Sequence, residues 1–196
     1  MNEFLKSFLL TFIPLFVATD AIGNIPLFVA LTEGLSQRER NRVADVSVLM
    51  ATIIVLLFMI GGQLVFSLLE ISVADFRIAG GILLLVLSTH MLIAGKTTAG
   101  AGGDVAIFPL ASPLVAGPAV LTTTLVLGSS HGLLMTLLSL VLNMAITWGV
   151  FRKCGRIEML ITRQGSKAFS KVVEIILAAI AVSMIRHGLE TLFMPG

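Results

Sequence analysis

Apolar residues fall in six long stretches of this chain, 4–31, 44–69, 73–95, 105–128, 132–151 and 170–192, and polar residues gather in the short segments between them. Within a stretch there is no polar face. The run 48-VLMATIIVLLFMIGG-62 is apolar on every side apart from Thr52. A barrel strand alternates apolar with polar residues, and a soluble amphipathic helix keeps one polar stripe. Runs of about 20 apolar residues match the length a helix needs to cross a hydrocarbon core of about 30 Å. The pattern predicts an all-α integral membrane protein of six transmembrane helices. These stretches use most of the 196 residues, so residues 1–196 read as one membrane domain with no room for a soluble one.

The prolines divide that domain. Pro14, Pro26, Pro109, Pro113 and Pro118 all fall in the first and fourth predicted helices, and the sixth, Pro195, lies at the end of the chain. A proline inside a helix removes a backbone hydrogen bond and clashes with the preceding turn, at about 3 kcal/mol. In lipid the freed groups persist only where they line a cavity or pack against protein. The first and fourth helices are therefore expected to be broken, with Pro26, Pro113 and Pro118 at the breaks. Each is the first helix of a three-helix half, residues 1–95 and 105–196. Because three is odd, the second half starts on the opposite face of the bilayer. That predicts two inverted repeats, an arrangement that points to a secondary transporter with its site near the midplane.

Composition sharpens the picture. Charged residues make up 12% of the chain and hydrophobic ones 57%, against about 25% charged in a soluble domain. Ten of the 13 basic residues lie at one face: Arg38, Arg40 and Arg42 after the first helix, Lys96 after the third, and Arg152, Lys153, Arg156, Arg163, Lys167 and Lys171 around the fifth connection. Only Lys6, Arg77 and Arg186 fall at the other. Basic loops stay cytoplasmic, which places both termini outside. The same rule accounts for 152-RKCGR-156, so that run implies no nucleic-acid partner. Lys6 precedes an apolar run, but Thr19-Asp20-Ala21 is a poor cleavage site, and the first segment is expected to stay.

The candidate chemistry lies at the breaks. In 18-ATDAIGNIP-26, Asp20 sits mid-segment, where a carboxylate costs at least about 2.5 kcal/mol and usually marks an ion, proton or substrate path. Burial there would raise its pKa and suit it to carry a proton or bind a coupling cation. Capping the half-helix after Gly23 is an equally open role. Gly23 permits unwinding, and Asn24 offers an amide. The second break, 112-SPLVAGP-118, repeats the parts as Ser112, Gly117 and a resumed helix containing Thr122. Half-helix N-termini favour a carboxylate and freed carbonyls favour a cation, so a zwitterionic amino acid fits between them. Asn143 in the fifth helix is a further candidate. Gly61-Gly62 and Gly80-Gly81 read as close helix contacts. His90, His131 and His187 are too scattered for a metal site. With no nucleophile elbow or phosphate loop, the residues argue for no enzyme.

The strings DAIGNIPLF (20–28), FRIAGGILL (76–84) and FPLASPLVAGPAVLTT (108–123) resemble the MarC family of bacterial and archaeal membrane proteins, whose motifs read DPxGNxPxF, RIAGG and PLAxPxxAGPG. The resemblance covers nearly the whole chain. It implies a prokaryotic inner-membrane transporter of small neutral amino acids such as glycine, alanine and serine, driven by a Na⁺ or H⁺ gradient and needing no other cofactor. It also implies binding roles for Asp20, Gly23, Asn24, Pro26, Pro113, Gly117 and Pro118. Ala21 and Ala119 depart from the motifs, and a methyl at 119 is expected to narrow the pocket. A channel or exporter for another small solute, or a non-transporting scaffold, shares the architecture. An apolar exterior suits lipid or a second copy of this chain.

Overall fold

The apolar runs do wind into helices, and where they stop is set by caps and prolines. The computed structural model of the chain describes residues 3–94, 106–154 and 163–193. The glycine-rich 99-AGAGGD-104, whose composition reads as a linker between the two halves, lies outside them, as do Lys96 and Arg156. In chain order the helices are α1 (Glu3–Thr19), α2 (Ile25–Leu31), α3 (Gln37–Leu69), α4 (Val73–Ala94), α5 (Ala106–Val115), α6 (Pro118–His131), α7 (Leu133–Lys153) and α8 (Arg163–Phe193). No strand occurs among the described residues.

Local chemistry explains the boundaries. Helix α3 starts seven residues before its apolar run because Ser36 and Glu39 form a capping box: the Glu39 N–H donates to Ser36 Oγ at 3.3 Å, and the Ser36 N–H to Glu39 Oε2 at 2.8 Å. Such reciprocal caps satisfy two helix-end donors at once. Ser72 and Asp75 do the same for α4. Gly132, at φ 86°, turns the chain from α6 into α7, a conformation that costs glycine little. Pro14 does not interrupt α1. Pro109 and Pro113 lie inside α5, which is wound as a π-helix. Pro113 is therefore not at a break. A wider register moves the carbonyl that a proline ring would strike, so α5 absorbs both prolines by widening instead of ending.

Among the described residues, four helices are long and apolar enough to cross a membrane, over Gln37–Leu69, Val73–His90, Leu133–Lys153 and Ile175–Phe193. The first and fourth predicted spans are each divided, into α1 with α2 and α5 with α6, in pieces of 17, 7, 10 and 14 residues, each shorter than the usual crossing of about 20.

The core lies between the divided helices and α3 and α7. Leu15, Phe28, Val43, Leu110, Val120 and Phe151 are buried there, and Phe28 stacks on Phe151 at 4.5 Å. A second cluster, Leu27, Leu84, Leu177 and Ala181, ties α2 to α4 and α8. Helices α4 and α8 pack along each other closely enough that a Cβ on Gly81 would lie 2.8 Å from the Ala181 carbonyl, and one on Gly188 3.0 Å from that of Ala74. Gly81 is thus the close contact its sequence suggested. Gly80 instead faces Pro118 and Met184. Gly61 faces open space, and the atoms nearest a Cβ on Gly62 belong to Phe58 of its own helix. Packing partners are exchanged between the halves: α1 lies on α7 as α5 lies on α3, and α2 on α8 as α6 on α4. The outer surface is apolar, with Ile60 80% and Ile93 81% exposed.

Candidate functional site

The first break is a five-residue turn, 20–24, braced by its own hydrogen bonds. At its start, the Asp20 backbone is left-handed, at φ 42°. Its carbonyl accepts from the Asn24 N–H at 3.0 Å, and its carboxylate Oδ1 accepts from the Gly23 N–H at 3.0 Å. A Cβ on Gly23 would overlap Asp20 Oδ2, so glycine is required for the carboxylate to lie where it does. Asn24 Nδ2 donates to the Thr19 carbonyl at 3.1 Å and satisfies an acceptor left at the end of α1. Asn24 is buried and Asp20 exposed. The expected burial of Asp20 is therefore not met: the side chain folds over Gly23 within the turn instead of entering the core, and it does not cap α2.

The second break is shorter. Ala116 closes α5 through a hydrogen bond from its N–H to the Ala111 carbonyl at 2.8 Å. Gly117 then adopts an extended N-cap conformation and Pro118 opens α6. Gly117 offers no side-chain oxygen to the first turn of α6, which leaves the positive end of that helix for another acceptor.

Both breaks face one half-open cavity of about 410 Å³, also bordered by α4 and α8, a size within the range of small-molecule sites. Its polar lining is Thr19 at the end of α1, Asp20 and Asn24 from the first break, Gly117 from the second, Arg77 from α4, and Ser183 and His187 from α8. Leu84, Leu114, Ile180 and Met184 supply the apolar wall, and Pro118 and Ala119 complete the second break. A carboxylate, a guanidinium and a helix N-terminus thus share one cavity. His187 Nδ1 lies 2.9 Å from Glu190 Oε2, and Arg186 pairs with the same carboxylate at 3.1 Å. Arg77 has no ion-pair partner among the described residues.

Of the residues expected at the site, Asp20, Asn24, Gly117 and Pro118 line the cavity, and Gly23 supports it through Asp20. Asn143, Thr122, Ser112, Pro26 and Pro113 do not line it. Asn143 is buried in α7 and donates to the Ser139 carbonyl at 2.8 Å and the Phe12 carbonyl at 3.3 Å, beside a 2.6 Å bond between the Thr11 and Ser139 hydroxyls. It ties α7 to α1 on the far side of the broken helix. The Thr122 hydroxyl bonds back to the Pro118 carbonyl at 2.8 Å, and Ser112 stays within α5. Pro26, at the second position of α2, follows the break without lining the cavity.

Arg77, Ser183 and His187 were missed as site residues. Helical spacing held the signal. Arg77 and Leu84 are seven apart on α4, and Ile180, Ser183 and His187 follow at three and four on α8, so each set lies on one face.

The family model described as MarC family integral membrane protein matches residues 5–193 of the chain. A UPF0056 membrane protein of Archaeoglobus fulgidus is 34% identical over 95% of this chain and 93% of its own. The UPF0056 membrane proteins YvbG of Bacillus subtilis and YhcE of Escherichia coli are each 28% identical, covering 93% and 94% of this chain and 93% and 92% of their own. No solved structure matches.

Proposed function

The chain belongs to the MarC family of integral membrane proteins, and on that premise we propose that it is a secondary transporter of small neutral amino acids. The observation that carries the reading is that opposite charges, Asp20 and Arg77, line one cavity that joins two helix breaks. An amino acid is a zwitterion. Its carboxylate suits Arg77 and the start of α6, since a guanidinium and a helix N-terminus both favour an anion. Its ammonium suits Asp20, which has one carboxylate oxygen beyond the Gly23 bond, and Asn24 Oδ1, whose amide nitrogen is engaged by Thr19. The apolar wall and the Ala119 methyl leave room for a small side chain.

The order of helices supports six crossings arranged as two inverted repeats. A divided helix followed by two long ones occurs twice, and packing partners exchange between the halves. Such repeats rock against a fixed site to give alternating access. With the basic end cytoplasmic, both termini lie outside and the cavity opens outward. On the basic side the path is closed by the stacked Phe28 and Phe151 and by buried Arg40, whose Nη2 donates to the Thr32 carbonyl at 3.3 Å.

The test is uptake of labelled glycine and alanine into liposomes holding the purified protein, under a Na⁺ gradient, a proton gradient or neither. Accumulation above equilibrium under one gradient is expected and names the coupling ion. Equilibration without accumulation would indicate a channel. Folded protein with no flux would end the amino-acid reading.

A further inference from the structure

A second site lies away from the breaks, on the outer face where α3 and α7 meet at the basic end. Polar residues give way to apolar ones at Asp45 on α3, and the apolar run of α7 stops at Arg152. Both therefore mark the membrane boundary. They are joined across it: Arg152 Nε donates to Asp45 Oδ1 at 2.9 Å and Nη2 to Oδ2 at 2.7 Å. Trp148 Nε1 donates to Asp45 Oδ1 at 2.7 Å, and the guanidinium lies over the indole ring, 4.9 Å from its centre. Just inside the boundary opens a groove of about 550 Å³, walled by Val48, Leu49, Val141, Met144 and Ala145.

We propose that this groove binds an anionic glycerophospholipid of the surrounding leaflet, with an acyl chain in the apolar trough and the phosphate against Arg152. The guanidinium has five N–H donors in a fixed plane. Two nitrogens serve Asp45, which holds that plane in place, and Nη1 keeps its donors for a phosphate. Asp45 does not repel the anion strongly, because both its oxygens already accept from Arg152 and Trp148. Net positive charge comes from Arg42, one turn before Asp45 on the same face, and from Lys153, both exposed. Basic groups between helices at this level attract anionic headgroups, and a tryptophan one turn inside is placed as an interfacial anchor. This proposal does not depend on the transport reading.

Trp148 is the chain's one tryptophan and the chain has no tyrosine, so its emission reports this groove alone. The full chain is placed in phosphatidylcholine vesicles, and brominated phosphatidylglycerol or brominated phosphatidylcholine is added stepwise as quencher. Quenching should show a preference for the anionic lipid of about fivefold, reduced by added salt and lost in Arg152→Gln. That variant leaves Asp45 unpaired and risks misfolding. Arg42→Gln with Lys153→Gln keeps the tether and should still reduce the preference severalfold. Equal quenching by both lipids overturns the proposal. So does quenching by neither, which would mean that a second copy of the chain covers the groove.

Discussion

Gly81 is where one methyl group should do the most damage to the framework of the cavity. Helices α4 and α8 carry Arg77, Ser183 and His187, and their separation is set by the absence of side chains at Gly81 and Gly188. In Gly81→Ala the new Cβ would meet Ile185 Cγ1 at 2.7 Å, the Ala181 carbonyl oxygen at 2.8 Å and the Ile185 nitrogen at 3.1 Å. The first contact is with the branch of a β-branched side chain, which has little freedom to rotate in a helix. The other two are backbone atoms, so the helices must part by several tenths of an ångström along a shared face. Overpacking of this kind costs about 1–3 kcal/mol, and backbone contacts push it toward the upper end. The gain in helix propensity from glycine to alanine, about 1 kcal/mol, offsets only part of that. Gly61→Ala is the control, since nothing lies within 4 Å of its Cβ. It should leave stability unchanged or raise it. Thermal unfolding in detergent, followed by Trp148 emission, should rank Gly61→Ala at or above the parent and Gly81→Ala below it by several degrees. A Gly81→Ala protein as stable as the Gly61→Ala one would refute the close approach of α4 and α8.

Other consequences can be checked at the two ends of the molecule. Replacing Arg77 with Ala should raise the KM for amino-acid uptake by roughly 10- to 100-fold, the scale of a lost charged hydrogen bond, while Arg77→Lys retains part of the affinity; uptake kinetics in liposomes measure both. Asp20→Asn should weaken the ammonium contact yet keep the Gly23 bond, because an amide oxygen still accepts; reduced uptake with an unaltered thermal midpoint is expected. Cys154 is buried and its thiol donates to the Val150 carbonyl at 3.0 Å. Burial pushes its pKa up to about 11, opposed in part by Arg40. At pH 8 roughly one thiol in a thousand is then ionised, so maleimide labelling should be slow until the protein is unfolded in detergent. Since the thiol ionises first in the unfolded state, any stability it contributes is present below pH 9 and declines as pH rises towards 11.

Much of the architecture was legible in the linear pattern. Apolar runs with no polar face require lipid whatever they pack against, so the extents of α4 and α7 follow the runs within two residues. Breaks at 20–24 and at 116–117 were signalled by glycine and proline, whose backbone restrictions act locally. Asp20, left open between a capping and a binding role, instead braces its own turn through Gly23, three residues along the chain, and α2 receives no side-chain cap. Pro113 was misplaced because a helix can widen its register as well as stop, and neighbouring helices decide which.

The site divides along the same line. Asp20, Asn24 and Gly117 could be named from the sequence, since an intramembrane carboxylate or a broken helix is costly in any fold and calls for a local reason. Arg77, Ser183 and His187 gained their role only through the packing of α4 on α8, and Asn143 lost its expected one because α7 turns that face toward α1. A helix face has no destination until its neighbours are placed. Local backbone chemistry is written in adjacent residues, whereas which faces meet depends on shape complementarity between segments a hundred residues apart.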